Sequence, residues 1–336
     1  MTGPAVRAVA ASPDIDEVWM LCSSIGAEAA RMLPGVDRVL VWDCPWITAG
    51  AVEATREHLA RLDALVAEPA PAVAVILTSF HQSPLPLALQ LRLAGVPFIA
   101  GASVDYAGAL LDVRLTPGED FPEDQPEPVR ALRIARAAGF ALPPGDDGGL
   151  ALTGATPLPD AVAGLANVVV LHPGASASAR RWPASHHVAT AALLRDEGWD
   201  VVVTGGPDEA DLTAEVAGHG AYGRDLGGVT ELSALAGILA HARVVVTGNT
   251  GPAHVAAAVG TPVVSLFSPV VPAVRWMPYG VPLVLLGDQE AACRGTRARE
   301  CPIPGHPCLA SVTPAQVVAA CEQLAGSRVH AAGVVA

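Results

Sequence analysis

The residues with the clearest chemistry lie at 241 to 267, HARVVVTGNTGPAHVAAAVGTPVVSLF, where a strand, a Thr-Gly-Pro turn, a short helix and a second strand follow with almost nothing between them. Val244, Val245 and Val246 form a buried-strand run. Thr250 stands where a helix N-cap is wanted, and Pro252 suits the first helical turn because it has no N–H to leave unpaired. The helix is expected over 252 to 259, stopping at Gly260. Gly251 lets a ligand approach the backbone, and the free amides and positive dipole end of the helix favour an anion, phosphate above all. His254, one turn in, is placed to add a hydrogen bond or a positive charge to the same oxygens.

A second anion site is expected at 168 to 183, where the apolar strand VVVL runs into HPGASASARRWP, a loop of small residues ending in Arg180, Arg181 and a helix start. Arginine forks suit phosphate oxygens. A third unit follows, with a helix to Gly198, a strand over 200 to 204, and the turn GGPDEADL, which places Glu209 near the next helix N-terminus. In a parallel sheet these loops share the carboxyl edge of the strands. Arg180, Arg181, Glu209, Thr250, Gly251 and His254 can therefore converge although they are far apart in sequence.

The elements that must hold these residues read as repeated βα units, an α/β chain with parallel sheets. In the first half, strands are expected at 17 to 22, 38 to 42, 73 to 78 and 97 to 100, with helices at 24 to 33, 50 to 67, 84 to 94 and 128 to 138. The second half is expected to have strands at 168 to 171, 200 to 204, 243 to 247, 262 to 267 and 282 to 286, and a last helix at 314 to 325. The Gly/Pro/Asp stretch PPGDDGG opens a linker region at 143 to 166. That divides the chain into an N-terminal domain, 1 to 142, and a C-terminal domain, 167 to 326. At 336 residues there is enough chain for two buried cores. With 51% hydrophobic but only 4% aromatic residues, those cores must be built from Ala, Val and Leu, and the mean hydropathy of +0.41 reflects that richness.

Charge removes several function classes. The formal net charge is −13, which argues against nucleic acid as a partner, since a phosphate backbone needs a basic footprint. All 20 basic residues are arginine. The absence of lysine excludes a Walker A lysine, a pyridoxal-phosphate Schiff base and a kinase strand lysine. No apolar run approaches the roughly 18 to 20 residues that span a bilayer. No basic region followed by an apolar core marks a signal peptide. The expected location is cytoplasmic, either free or peripheral at the inner face of the membrane, with no transmembrane segment.

HPGAS followed by RRWP, the strand-turn VVVTGGPDE, and GNTGPAHVAAAVGTPVVSLFSP with RWMPYG behind it resemble glycosyltransferase family 9, the ADP-heptose:lipopolysaccharide heptosyltransferases and their relatives. SFHQSPLPLALQLRLAGVP and VDYAGALLDVRL in the first half resemble it too. The resemblance implies two Rossmann-like domains facing a cleft, the GT-B arrangement, with the nucleotide-sugar held mostly by the C-terminal one. It matches Arg180 to the basic residue on the donor diphosphate and Glu209 to the carboxylate near the nucleoside. Thr250, Gly251 and His254 match the Thr-Gly-Pro-x-His diphosphate turn.

Two positions depart from the family pattern. Asn249 replaces an acidic residue before the Thr-Gly. Family members also begin with a strand and a Gly-rich turn carrying an Asp that resembles a general base, ahead of the helix that MTGPAVRAVAA resembles. The N-terminal domain is accordingly expected to lack its first strand, with the base upstream of Met1; otherwise Asp105 is the residue to test first. His81, Gln82 and Tyr106 are expected, with Asp105, on the acceptor side. The implied activity is metal-independent, inverting transfer of heptose or a related sugar from an ADP-heptose-like nucleotide-diphospho-sugar to an acceptor hydroxyl, with no cofactor. The acceptor is a glycan, a lipid-linked species or a small molecule. The alternative is a catalytically impaired nucleotide-sugar-binding relative lacking the base, and a sugar-nucleotide epimerase of similar shape is a third reading.

Other patterns carry less. GHGAYG at 218 to 223 has dinucleotide-loop spacing but follows a helix, so a helix-end loop is expected and no NAD is inferred. Asp14 and Asp16 form a lone D-x-D in a turn before a strand, and no G-x-S-x-G elbow is present. Cys293, Cys301 and Cys308 cluster with His306 in a Gly/Pro/Arg-rich loop. Three thiolates and an imidazole could hold zinc, but without a C-x-x-C pair, reduced or transiently paired thiols are the favoured reading and no metal is assigned.

Overall fold

In a computed structural model of the chain, residues 1–48, 53–79 and 81–326 are described. The chain divides into two compact units, Met1–Gly149 and the residues from Leu150 onward.

The first unit contains α1 (Gly3–Ala10), β1 (Trp19–Cys22), α2 (Ala27–Arg31), β2 (Arg38–Val41), α3 (Arg56–Ala67), β3 (Val73–Ile76), α4 (Leu85–Leu93), β4 (Phe98–Ala102), β5 (Val113–Leu115) and α5 (Glu127–Ala137). Every strand pairing is parallel, but among the described residues the strands form two separate sheets, β1-β2 and β3-β4-β5. Ile76, Ile99, Leu62, Val66, Ala88 and Leu91 form one core, with Trp42 from the end of β2 and Leu21 from β1 packed into it. Ala5 and Ala8 of α1 meet Ala131, Leu132 and Ala135 of α5 in another. The helix expected from residue 50 begins at Arg56, where the Thr55 hydroxyl accepts the His58 amide at 3.1 Å. Residues 50–52 of that expectation, and Phe80 of the first-half motif, lie outside the described residues. The segment expected as one helix over 24 to 33 is a 3-10 turn, Ser24–Gly26, running into α2.

The second unit contains α6 (Asp160–Ala163), β6 (Val168–His172), α7 (Ala184–Asp196), β7 (Asp200–Gly205), α8 (Ala210–Val216), β8 (Arg224–Gly227), α9 (Leu232–His241), β9 (Val244–Gly248), α10 (Gly251–Ala258), β10 (Val263–Leu266), α11 (Ala273–Trp276), β11 (Leu283–Leu286), α12 (Pro307–Ala310) and α13 (Pro314–Ala325). Its six strands are all parallel in the order β11-β10-β9-β6-β7-β8. The valine runs of β6 and β9 are buried on both faces, as in a sheet covered by helices on each side. Leu194 of α7, Val216 of α8 and Val317 and Leu324 of α13 complete the core against them. Because β6 is the first strand and lies in the middle, the chain winds outward through β7 and β8, then returns to build β9, β10 and β11 on the other side. The switch point falls between β6 and β9, where a doubly wound sheet leaves a crevice at its carboxyl edge. GHGAYG forms a 3-10 turn at 218–220 and leads into β8, so it precedes a strand where a dinucleotide loop would follow one. Among the described residues no helix is long and apolar enough to cross a membrane.

Candidate anion-binding site

Four loops of the second unit meet at this carboxyl edge. After β9, Thr250 occupies the N-cap position of α10 with an extended backbone, φ −142° and ψ 172°, yet its hydroxyl does not cap the helix. It lies 3.2 Å from the Thr247 hydroxyl instead. The opening of α10 is therefore left without a side-chain cap, and its dipole adds to the demand for an anion. Gly251 is exposed with open space where a side chain would begin, so packing does not demand glycine there. His254, on the same turn, has an Nδ1 atom that is buried and without a hydrogen-bond partner. Burial pushes its imidazole down to about 4, so at neutral pH it offers a hydrogen bond and no charge.

The loop after β6 supplies the positive charge. Arg180 ends a 3-10 turn, Ser178–Arg180, whose backbone lies against the end of β9: a Cβ at Gly248 would sit 3.0 Å from the Arg180 carbonyl. The Arg180 Nε is buried with no partner, and burial followed by the charge of Arg299 lowers its pKa. Guanidinium stays charged through such a shift, so two like charges share this corner, an arrangement that an anion relieves. Arg181 is exposed, and its Nε donates to the Ala175 carbonyl at 2.7 Å, which ties the small-residue loop back on itself.

The loop after β7 supplies the carboxylate. Glu209 Oε2 accepts the Gly206 amide at 3.0 Å, closing the turn. The rest of the carboxylate fills the space above Gly174, where a Cβ would come within 2.0 Å of Oε1. His172, the last residue of β6, is buried beside it, with Nε2 4.0 Å from Glu209 Oε2 and Nδ1 3.0 Å from the Thr204 hydroxyl. Burial outweighs the attraction of Glu209 and pushes His172 down to about 4. In the sheet register His172 pairs with Thr247 of β9, which links the carboxylate corner to the helix corner.

The loop between β11 and α12 carries the three clustered cysteines and rests on the arginine arm. The Arg299 carbonyl accepts the Ala179 amide at 3.0 Å, and His306 Nε2 is 3.1 Å from the Ala179 carbonyl. All six cysteines are free; Cys293 and Cys308 are buried and Cys301 is partly so. Among the described residues no three His, Cys, Asp or Glu side chains are grouped to hold a metal ion.

The remaining candidates belong to the first unit. His81 is exposed with a left-handed backbone, φ +62°, and the Gln82 side-chain carbonyl accepts the Ser79 amide at 2.9 Å in the turn after β3. After β4, Asp105 is exposed, its amide donates to the Ser103 hydroxyl at 3.2 Å, and Tyr106 is 86% exposed. Since β3 and β4 pair in parallel, these two loops leave the same edge of the three-stranded sheet.

Sequence reasoning missed His172, Thr247 and Arg299. The first two lay in strand-end positions that were legible as strand, and their sheet register was the missing information. Arg299 sits in an irregular loop with no periodicity to read.

A doubly wound parallel unit with amides, arginine and carboxylate at its switch point has a Rossmann-like architecture. Residues 135–306 match the model of glycosyltransferase family 9 (heptosyltransferase), and the chain belongs to that family. It is 35% identical over 103 residues to lipopolysaccharide heptosyltransferase 2 of Escherichia coli, covering 29% of this chain and 30% of that protein. Against lipopolysaccharide heptosyltransferase 3 of E. coli it is 31% identical over 167 residues, 47% of each. The chain thus matches between 30% and 47% of the length of these relatives. Across 96% of its length its fold matches E. coli ADP-heptose lipopolysaccharide heptosyltransferase II, with a TM-score of 0.72 over 94% of that chain at 20% identity. It also matches an E. coli heptosyltransferase solved with ADP, with a TM-score of 0.68 over 97% of that chain at 17% identity.

Proposed function

We propose that this protein transfers a sugar, heptose or a relative, from an ADP-heptose-type donor to an acceptor hydroxyl with inversion at the anomeric carbon, and that it needs no metal to do so. The observation that carries the proposal is the uncapped start of α10. Thr250 turns to Thr247 and leaves the helix amides for a ligand, while the Arg180 segment lies against Gly248 beside them. The reaction's electrostatic difficulty is the leaving group: as the bond from the anomeric carbon to oxygen breaks, negative charge gathers on the diphosphate. Amides and guanidinium fixed in place before the reaction stabilise that charge without reorganising. His254, held neutral, donates a hydrogen bond to the same oxygens, and Glu209 reads the nucleoside. We assign His81, Gln82 and Tyr106 of the first unit to the acceptor side, with Asp105 as the first residue to test for taking the acceptor's proton. The acceptor is a glycan, a lipid-linked species or a small molecule. The family membership and the names of the relatives support the sugar and the donor.

The test is turnover of ADP-heptose with a lipopolysaccharide-core acceptor, read as free ADP released only when acceptor is present. Arg180→Gln is expected to lower kcat on the order of 100-fold. ADP binding with no turnover under any acceptor would favour the catalytically impaired relative, and absence of binding would refute the donor site.

A further inference from the structure

His172 and Glu209 are an unfinished pair. The imidazole Nε2 and the carboxylate Oε2 are 4.0 Å apart, beyond hydrogen-bond reach but close enough to share one small group between them. The other sides of both residues are already committed. Nδ1 is 3.0 Å from the Thr204 hydroxyl, and Oε2 takes the Gly206 amide at 3.0 Å, with the carboxylate seated over Gly174. A neutral imidazole has one N–H and one bare nitrogen. With the carboxylate facing Nε2, the proton belongs there and the Thr204 hydroxyl donates to Nδ1. That leaves an N–H donor and a carboxylate acceptor looking into the same gap. The group that satisfies both at once is a hydroxyl, which gives its hydrogen to the carboxylate and receives the imidazole N–H.

Resting on the donor-site reading above, we infer that His172 is a specificity-determining residue that, with Glu209, clamps one ribose hydroxyl and makes the site select ribonucleoside over deoxyribonucleoside diphosphates. Placement favours a sugar hydroxyl of the nucleotide. His172 is in register with Thr247, one strand spacing, roughly 4.8 Å, from the strand that leads into the phosphate-binding turn. A ribose lies at about that remove from its own diphosphate. The imidazole is suited to the role because burial keeps it neutral at physiological pH, so it can donate at Nε2 and accept at Nδ1 in a fixed orientation. A protonated ring would lose the acceptor side and reverse the Thr204 hydrogen bond.

Calorimetry with ADP, 2′-deoxy-ADP and 3′-deoxy-ADP tests the inference. The unmodified protein is expected to bind one of the two deoxy forms about tenfold or more weakly than ADP. His172→Asn keeps an amide that reaches Thr204 but is too short to reach Glu209, so it should fold and lose that ratio, binding ADP as weakly as the deoxy form. His172→Gln, whose amide N–H lies near the Nε2 position, should restore most of the discrimination. A merely structural histidine would weaken all three nucleotides together and leave the ratio untouched, which overturns the inference. So does equal binding of ADP and both deoxy forms by the unmodified protein. If none of ADP, GDP or UDP gives heat with the unmodified protein, the donor-site reading fails and this inference fails with it. ADP binding without discrimination refutes the clamp alone.

Discussion

Gly174 shows at a single residue how the carboxylate corner is built. Its backbone does not need glycine's left-handed freedom; what it supplies is the volume that Glu209 occupies, since a Cβ would lie 2.0 Å from Oε1. The Glu209 carboxylate is the far end of a flexible side chain, so Gly174→Ala should displace it and leave the backbone in place. The expected outcome is roughly tenfold weaker ADP binding with a thermal midpoint within about 2 °C of the parent, checked by calorimetry and thermal unfolding. Where these residues stand was readable in the sequence: Thr250, Gly251 and His254 sit in a strand-turn-helix pattern, and Arg180 follows a small-residue loop. His172 and Arg299 matter only through what tertiary structure sets beside them, and no spacing along the chain announces that. The cap at Thr250 also differs from the local expectation, because the Thr247 hydroxyl competes for it.

At the scale of elements, long buried strands and helices with Pro or Thr starts were legible. The last helix, 314 to 325, is a clear case: Thr313 and Gln316 form a capping box ahead of it. The short strands β5 and β8 were not, because VRL is only three residues long and RDLG carries neither an apolar run nor an alternating pattern, and they are strands only because a neighbour offers its edge. The cysteine-bearing loop is the element whose role was least legible. It braces the arginine arm through Arg299 and through His306, whose own backbone is left-handed at φ +49°. His306→Asn tolerates that backbone but is too short to reach the Ala179 carbonyl. It should cost about 1 kcal/mol of stability by denaturant unfolding and weaken ADP binding several-fold, because the arm holding Arg180 loosens. Loss of stability with unchanged ADP affinity would separate the brace from the site.

For the molecule as a whole, the α/β class and parallel sheets followed from alternating strand and helix signals, whereas the strand order, and with it the switch point, came only from three-dimensional pairing. Three histidines give the molecule a pH signature. His172, His187 and His254 are pushed down to about 4, 3 and 4, each chiefly by burial. Above about pH 6.5 they are neutral both folded and unfolded and do not affect stability. As pH falls below that value the unfolded chain binds protons that the folded one refuses, so stability decreases towards pH 4. By pH 5 each histidine should cost about 2 kcal/mol, an order-of-magnitude figure, checked by denaturant titrations at pH 7 and pH 5. Asp112 and Asp146, both lowered by their hydrogen bonds, take effect only in a more acidic range.

The two small sheets of the first unit have a consequence of their own. Among the described residues, β1 joins only β2 and β3 joins only β4, and both strands are largely half-buried where β6 and β9 of the second unit are sealed. Among those residues each thus has one edge, a row of backbone donors and acceptors, that no other strand pairs with, in a layer whose side chains are apolar. Such a row invites stitching to any extended polypeptide that comes near. Purified protein should accordingly turn turbid on concentration sooner than its charge of −13 would suggest, with proline placed in β1 slowing the onset.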